Sequence, residues 1–164
     1  MKPQLFGRGT WYYIFFLFIY FNERYKNITN TLRDVKKNGK ASPQDCKNLK
    51  IFFEDNELSN PTYIYKKTIE ELTEEAYTTN LELLKKRLMR IISSLPCDHC
   101  KTHSLEAMAL NNIMSSQSFF FIFHFFLVLR NTFYPNQIDR RMFESVDDLE
   151  KNKQKLLFQL IKTI

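Results

Sequence analysis

Leu81-Glu-Leu-Leu-Lys-Lys-Arg-Leu-Met-Arg-Ile-Ile-Ser-Ser-Leu-Pro-Cys-Asp-His-Cys100 carries the reading of the fold. Leu81, Leu84, Leu88, Ile91, Ile92 and Leu95 recur at the three-and-four spacing of one helical face, while Lys85, Lys86, Arg87 and Arg90 fall on the other. An amphipathic helix therefore delivers the chain into Leu95-Pro96-Cys97-Asp98-His99-Cys100-Lys101-Thr102-His103. Proline is well placed at the first position of a helix, so Pro96 is expected to open the next one. The free N–H groups and the dipole of that helix start favour a thiolate. Cysteines at this spacing can close a short disulfide ring and reopen it by thiol exchange.

The spacing alone leaves alternatives open. Cys97, Cys100 and His103, with His99 close by, could supply zinc ligands, although a closed structural site wants a second ligand pair, and Cys46 and His124 stand alone. The two thiols could also be inert and buried. Redox chemistry is the reading that uses the helix start.

Working outward, Phe119 to Asn131 is nearly continuously apolar, interrupted by His124, with Ser115 or Ser116 as its expected cap after a break at Asn111-Asn112. Leu105, Met108 and Ala109 continue a helix beyond the cysteines. Trp11 to Phe21 is a second aromatic run, expected to be a helix buried all round. At eleven residues it falls short of the roughly 20 needed to span a bilayer. Membrane-surface attachment is the alternative use of such a segment. Residues 22–80 are rich in Lys, Asn, Glu and Asp and read as a polar insertion, with a surface helix near 64–77 from Tyr65, Ile69, Leu72 and Ala76. Asp147 to Ile164 closes the chain with Leu156, Leu157, Leu160, Ile161 and Ile164 on one side. Four or five helices and no alternating strand pattern make an all-α bundle, with a domain over 1–145 and a helical extension over 146–164.

Composition agrees. Among 164 residues there are 16 Phe and 8 Tyr but only 3 Gly and 5 Pro, too little punctuation for a many-turned sheet protein. The net charge of +6 comes from 24 basic and 18 acidic residues dispersed through mixed stretches such as Tyr65 to Arg90. That pattern reads as a solvated face and argues against a nucleic-acid groove. Three cysteines are too few for a disulfide scaffold, and Asn22-Glu23-Arg24 offers no signal cleavage site after the apolar run, so a reducing compartment is expected.

Three blocks in order carry a family likeness: Gly7-Arg8-x-x-Trp11 leading into an apolar helix, Leu95-Pro96-Cys97-x-x-Cys100-x-x-His103, and Asn111-Asn112-Ile113-Met114-Ser115-Ser116 before the aromatic helix to Arg130-Asn131. With these the chain resembles the flavin-dependent sulfhydryl oxidases of the Erv/ALR type, most closely their short poxviral form, as an insect-poxvirus-like member with an insertion. The wider family places His-Asn-x-x-Asn in the last core helix. Asn131 fits the terminal Asn, Leu127 stands four residues earlier, and His124 lies one turn before that position. Phe15 stands where the family often has His.

The resemblance implies a four-helix bundle that binds FAD, usually as a homodimer, and oxidises protein dithiols with oxygen as acceptor, releasing hydrogen peroxide. It gives Cys97 the exchange role and places Cys100 against the flavin ring, which it attacks once freed as a thiolate. It assigns cofactor contacts to Gly7, Arg8, Trp11, Cys100, His103 and Asn131, and no metal. It further implies small viral thiol or glutaredoxin-like relay proteins as substrates, late viral expression, and residence in host cytoplasm and virion membrane. A helical membrane-associated scaffold or a small zinc-binding module are the competing classes.

Overall fold

Helix α1 (Pro3–Asn38) runs for 36 residues because nothing between Gly9 and Gly39 can stop it: the stretch holds no proline and no glycine. It ends at Gly39, whose φ of +71° is the left-handed conformation that costs glycine least. The computed structural model of the protein describes residues 3–53 and 56–162, with side chains from residue 7 onward at the amino end. Along it follow α2 (Pro43–Phe53), α3 (Pro61–Lys66), α4 (Ile69–Ser93), α5 (Asp98–Leu110), α6 (Phe119–Phe133) and α7 (Val146–Ile161), with short 3-10 turns at Glu57–Ser59, Ile113–Ser115 and Arg140–Met142. Among the described residues there is no strand, so the all-α reading holds.

The chain divides into two compact units, residues 1–20 with 84–164, and residues 21–83. In the first, α1 and α6 interlock through aromatic edges. Phe18 meets Phe119, Phe123 and Phe126 with ring centroids 5.2–5.8 Å apart, and Phe15 meets Phe123 edge-on at 5.6 Å. Such pairs add roughly 0.5–1.5 kcal/mol each beyond the area they bury. The second unit has its own core of Ile28, Leu32, Val35, Leu49, Phe53, Leu58, Ile64, Leu72 and Ala76.

Several expectations are corrected. The aromatic run of α1 is not buried all round: Tyr13, Phe16 and Tyr20 are 51%, 42% and 41% exposed along one face. The expected helix at 64–77 is split, because Thr68 caps α4. Its hydroxyl accepts from the Glu71 N–H and donates to the Glu71 carboxylate, leaving α3 to end at Lys66. The amphipathic helix expected at 81–95 is the second part of the same α4. Lys85, read as part of its solvated face, is fully buried, its ammonium donating to the carbonyls of Met114 and Ser116 at 2.9 Å each. A buried cation is tolerated where backbone acceptors replace water in this way. The cap of α6 is Ser118, accepting from the Phe121 N–H, rather than Ser115 or Ser116. In α7, Leu156 and Leu160 are buried but Ile161 is 51% exposed, and Ile164 lies outside the described residues. No described helix is long and apolar enough to cross a membrane.

Candidate functional site

Cys97 is the N-cap of α5, and Asp98 its first residue, so Pro96 precedes the cap instead of opening the helix. The cause lies in backbone bonding. Cys97, with extended φ and ψ of −91° and 111°, gives its carbonyl to Lys101 N–H as the first turn closes. Its sulfur accepts from the Cys100 N–H at 3.2 Å. Capping thus puts a sulfur where a helix start offers an unsatisfied donor and the positive end of its dipole, the setting that lowers a thiol pKa.

Cys97 and Cys100 are joined as a disulfide, their Cα atoms 5.2 Å apart. The two sulfurs are unequal in access, since Cys97 is partly exposed and Cys100 only 4% exposed. Among the described residues no three His, Cys, Asp or Glu side chains are arranged to hold a metal. Cys46 is a free thiol on α2, in the unit of residues 21–83.

His103 lies one turn beyond Cys100. Its ring stacks loosely on His99 (6.4 Å) and meets Phe133 edge-on at 5.7 Å, and Phe133 in turn packs against Trp11 at 6.2 Å. An aromatic chain therefore links α5, α6 and α1 and brings together two of the residues singled out from sequence, Trp11 and His103. Gly7 is set beside them for a packing reason: a Cβ there would overlap the Tyr134 hydroxyl and stand 3.5 Å from Trp11. Tyr134 is buried, which holds its phenol pKa above the usual value, opposed by the nearby Arg130 and Arg8. Arg8 is exposed and donates to the carbonyl of Ile161, the last residue of α7 (3.3 Å).

Asn131 is turned to the chain that follows α6. Its amide donates to the Ile138 carbonyl at 2.9 Å and its oxygen accepts from the Ile138 N–H at 3.0 Å. Beside it Arg130 is buried, donating to the Asn136 carbonyl and, at 3.0 Å, to the Asn136 side-chain oxygen, with its guanidinium 4.6 Å over the Tyr134 ring.

A cleft of about 420 Å3 opens between α5 and α6, its walls including His103, Asn111, Phe121, His124, Phe125 and Leu129. That volume suits a small organic ligand, and apolar walls with a few polar groups suit a planar ring. His124 donates from Nε2 to the Phe143 carbonyl at 2.6 Å, which fixes its tautomer because a carbonyl only accepts. Asn111, Phe121, Phe125 and Leu129 join the site from the structure and are not among the residues that the family likeness assigns to the cofactor. The signal was present in the one-face spacing of Phe121, Phe125, Val128 and Thr132, all of which line this cleft.

Residues 80–146 match the family described as E10-like protein conserved region. A fowlpox virus protein named probable FAD-linked sulfhydryl oxidase is 42% identical over 57 residues, which is 35% of this chain and 61% of that protein. Variola and vaccinia virus proteins of the same name are 40% and 38% identical over 60 residues, 37% of this chain and 63% of each relative. The chain thus spans a little over three fifths of the length of these curated relatives. No solved structure is significantly similar to it. The segment that carries the cysteine pair, the aromatic helix and the cleft beside them is the part of the chain similar to the E10-like conserved region and to these relatives.

Proposed function

We propose that the protein is an FAD-dependent thiol oxidase that makes disulfides in other proteins. The observation that carries it is the unequal disulfide at the start of α5, with Cys97 partly exposed at the cap and Cys100 buried one turn from a cleft wall. The fit of FAD rests on the cleft: the imidazoles of His103 and His124 and the phenyl rings of Phe121 and Phe125 would line its ring-binding part. FAD, when bound, accepts two electrons from the reduced pair and passes them to oxygen, giving hydrogen peroxide.

A substrate thiolate attacks the Cys97 sulfur, the Cys97–Cys100 bond breaks, and Cys100 leaves as a thiolate. A second substrate thiol, losing its proton to solvent, then attacks the substrate sulfur of the mixed disulfide and releases Cys97 as a thiolate. The substrate leaves oxidised, and the protein holds two reduced sulfurs. The Cys100 N–H stabilises departing Cys97, since it already points at that sulfur.

On this reading the substrates are small viral dithiol proteins, and the enzyme acts as a homodimer in host cytoplasm and at the virion membrane, as a late viral protein. The exposed face of Tyr13, Phe16 and Tyr20 supports an apolar contact surface of that kind. The test is the purified protein itself. A flavin band near ~450 nm that bleaches when dithiol is added without oxygen, with peroxide formed when air returns, is expected. Colourless protein with stoichiometric zinc, or with neither group, would overturn the proposal.

A further inference from the structure

The cleft between α5 and α6 does not end at the aromatic rings. A second cleft of about 510 Å3 adjoins it, and Val128, Thr132 and Arg140 line both. The two form one trough with an aromatic, imidazole-flanked half and a polar half. In the polar half the other side-chain donors are already engaged. The Asn131 amide donates to the Ile138 carbonyl, the Gln137 amide to the carbonyls of Asn131 and Tyr134, and the Thr132 hydroxyl to the Leu129 carbonyl. Asp139, the acid on that wall, is held by Arg141 through Nε and Nη2 at 3.0–3.2 Å, which keeps its pKa below the ordinary carboxylate value and satisfies its charge. Arg140 is the exception: exposed, shared by both halves, and making no side-chain hydrogen bond among the described residues, although its charge helps Arg141 hold the Asp139 pKa down.

A planar-ring pocket that continues past one uncommitted guanidinium matches a ligand with a ring at one end and phosphates beyond it. We propose that Arg140 binds the diphosphate of a dinucleotide whose ring system lies between α5 and α6. The proposal rests on the flavin-dependent reading above and assigns the anionic part of that cofactor. Arginine suits the task because its planar fork donates to two phosphate oxygens at once and stays charged at any working pH.

The experiment is calorimetric binding to the full-length protein, stripped of endogenous nucleotide, with FAD, riboflavin, ADP and adenosine as probes. FAD and ADP are expected to bind more tightly than riboflavin and adenosine. Arg140→Gln should weaken FAD and ADP about tenfold while leaving riboflavin and adenosine unchanged, as loss of one charge-assisted contact predicts. Arg140→Lys should recover part of the loss, and added salt should narrow the gap between wild type and Arg140→Gln. Because Arg140 is exposed and outside the core, far-UV circular dichroism of both variants should match wild type. Equal FAD and ADP affinity in wild type and Arg140→Gln overturns the assignment and leaves the oxidase reading standing. Wild-type protein that binds none of the four probes overturns both.

Discussion

Cys97 and Cys100 sit in different surroundings because one side chain caps a helix and the other is folded under it. Capping gives Cys97 a backbone donor and partial exposure, while Cys100 keeps 4% of its surface. In Cys100→Ser the remaining Cys97 is therefore expected to react with a maleimide at least tenfold faster than Cys100 does in Cys97→Ser, because both thiolate fraction and access favour it. Both variants should lose dithiol oxidation, and equal maleimide rates would remove the basis for giving the two sulfurs separate roles. Gly7 makes a second case at this scale. The family likeness implies a cofactor contact at Gly7, and in the structure Gly7 is also where α1 lets the Tyr134 ring approach its backbone. Tyr134 is buried beneath the Arg130 guanidinium and has little room to yield. Gly7→Ala is expected to cost about 1–3 kcal/mol in urea unfolding, the range for overpacking a filled site. A loss below the error of that measurement would show that the ring moves aside freely.

Among elements, what the sequence made legible was periodicity, and what it hid was punctuation. The apolar faces of α4 and α6 are readable because spacing alone specifies them, whereas the start of α5 is readable only to within the two residues that separate Pro96 from Asp98. The length of α1 is not, since a change from aromatic to charged residues at Asn22 marks a change of surroundings and leaves the backbone free to continue to Gly39. Lys85 is illegible for a related reason: charge says solvent, and only the meeting of α4 with the Met114 and Ser116 carbonyls says otherwise. The candidate site divides in the same way. The cysteine pair is a local motif and is visible, whereas Arg140 reaches the trough by a turn after α6 that no spacing announces. The link between α3 and α4 offers a test by pH. Tyr63 donates to Glu75 at 2.5 Å, and this bond, first among the causes, pushes the Tyr63 pKa up to about 12. A raised folded pKa contributes stability that is fully present below the unfolded value near 10 and is lost as pH climbs through the folded one. Wild type should thus lose its thermal advantage over Tyr63→Phe between about pH 10 and 12 and hold it below. An advantage that did not change across that window would mean the phenol proton is not what the bond holds.

At the scale of the molecule, the cysteine pair, the aromatic chain from Trp11 to His103 and both clefts belong to the unit of residues 1–20 and 84–164, and the other unit has a hydrophobic core of its own among the described residues. Units with cores of their own open with free energies of their own. A ligand that binds one of them in its folded state stabilises that one by RT ln(1 + [L]/Kd), about 2.7 kcal/mol when the ligand stands at a hundred times its Kd. The consequence is a pattern that amide hydrogen exchange can resolve along the chain. With FAD at that excess, amides of α5, α6 and the Arg140–Met142 turn should slow by up to about a hundredfold, the equivalent of that free energy. Amides of α2 and α3, which lie wholly within residues 21–83, should exchange at the same rate with and without the ligand. Equal slowing in α2 and α3 would mean that the two cores open in one cooperative step, and that a ligand held by the first stabilises the second as strongly as its own.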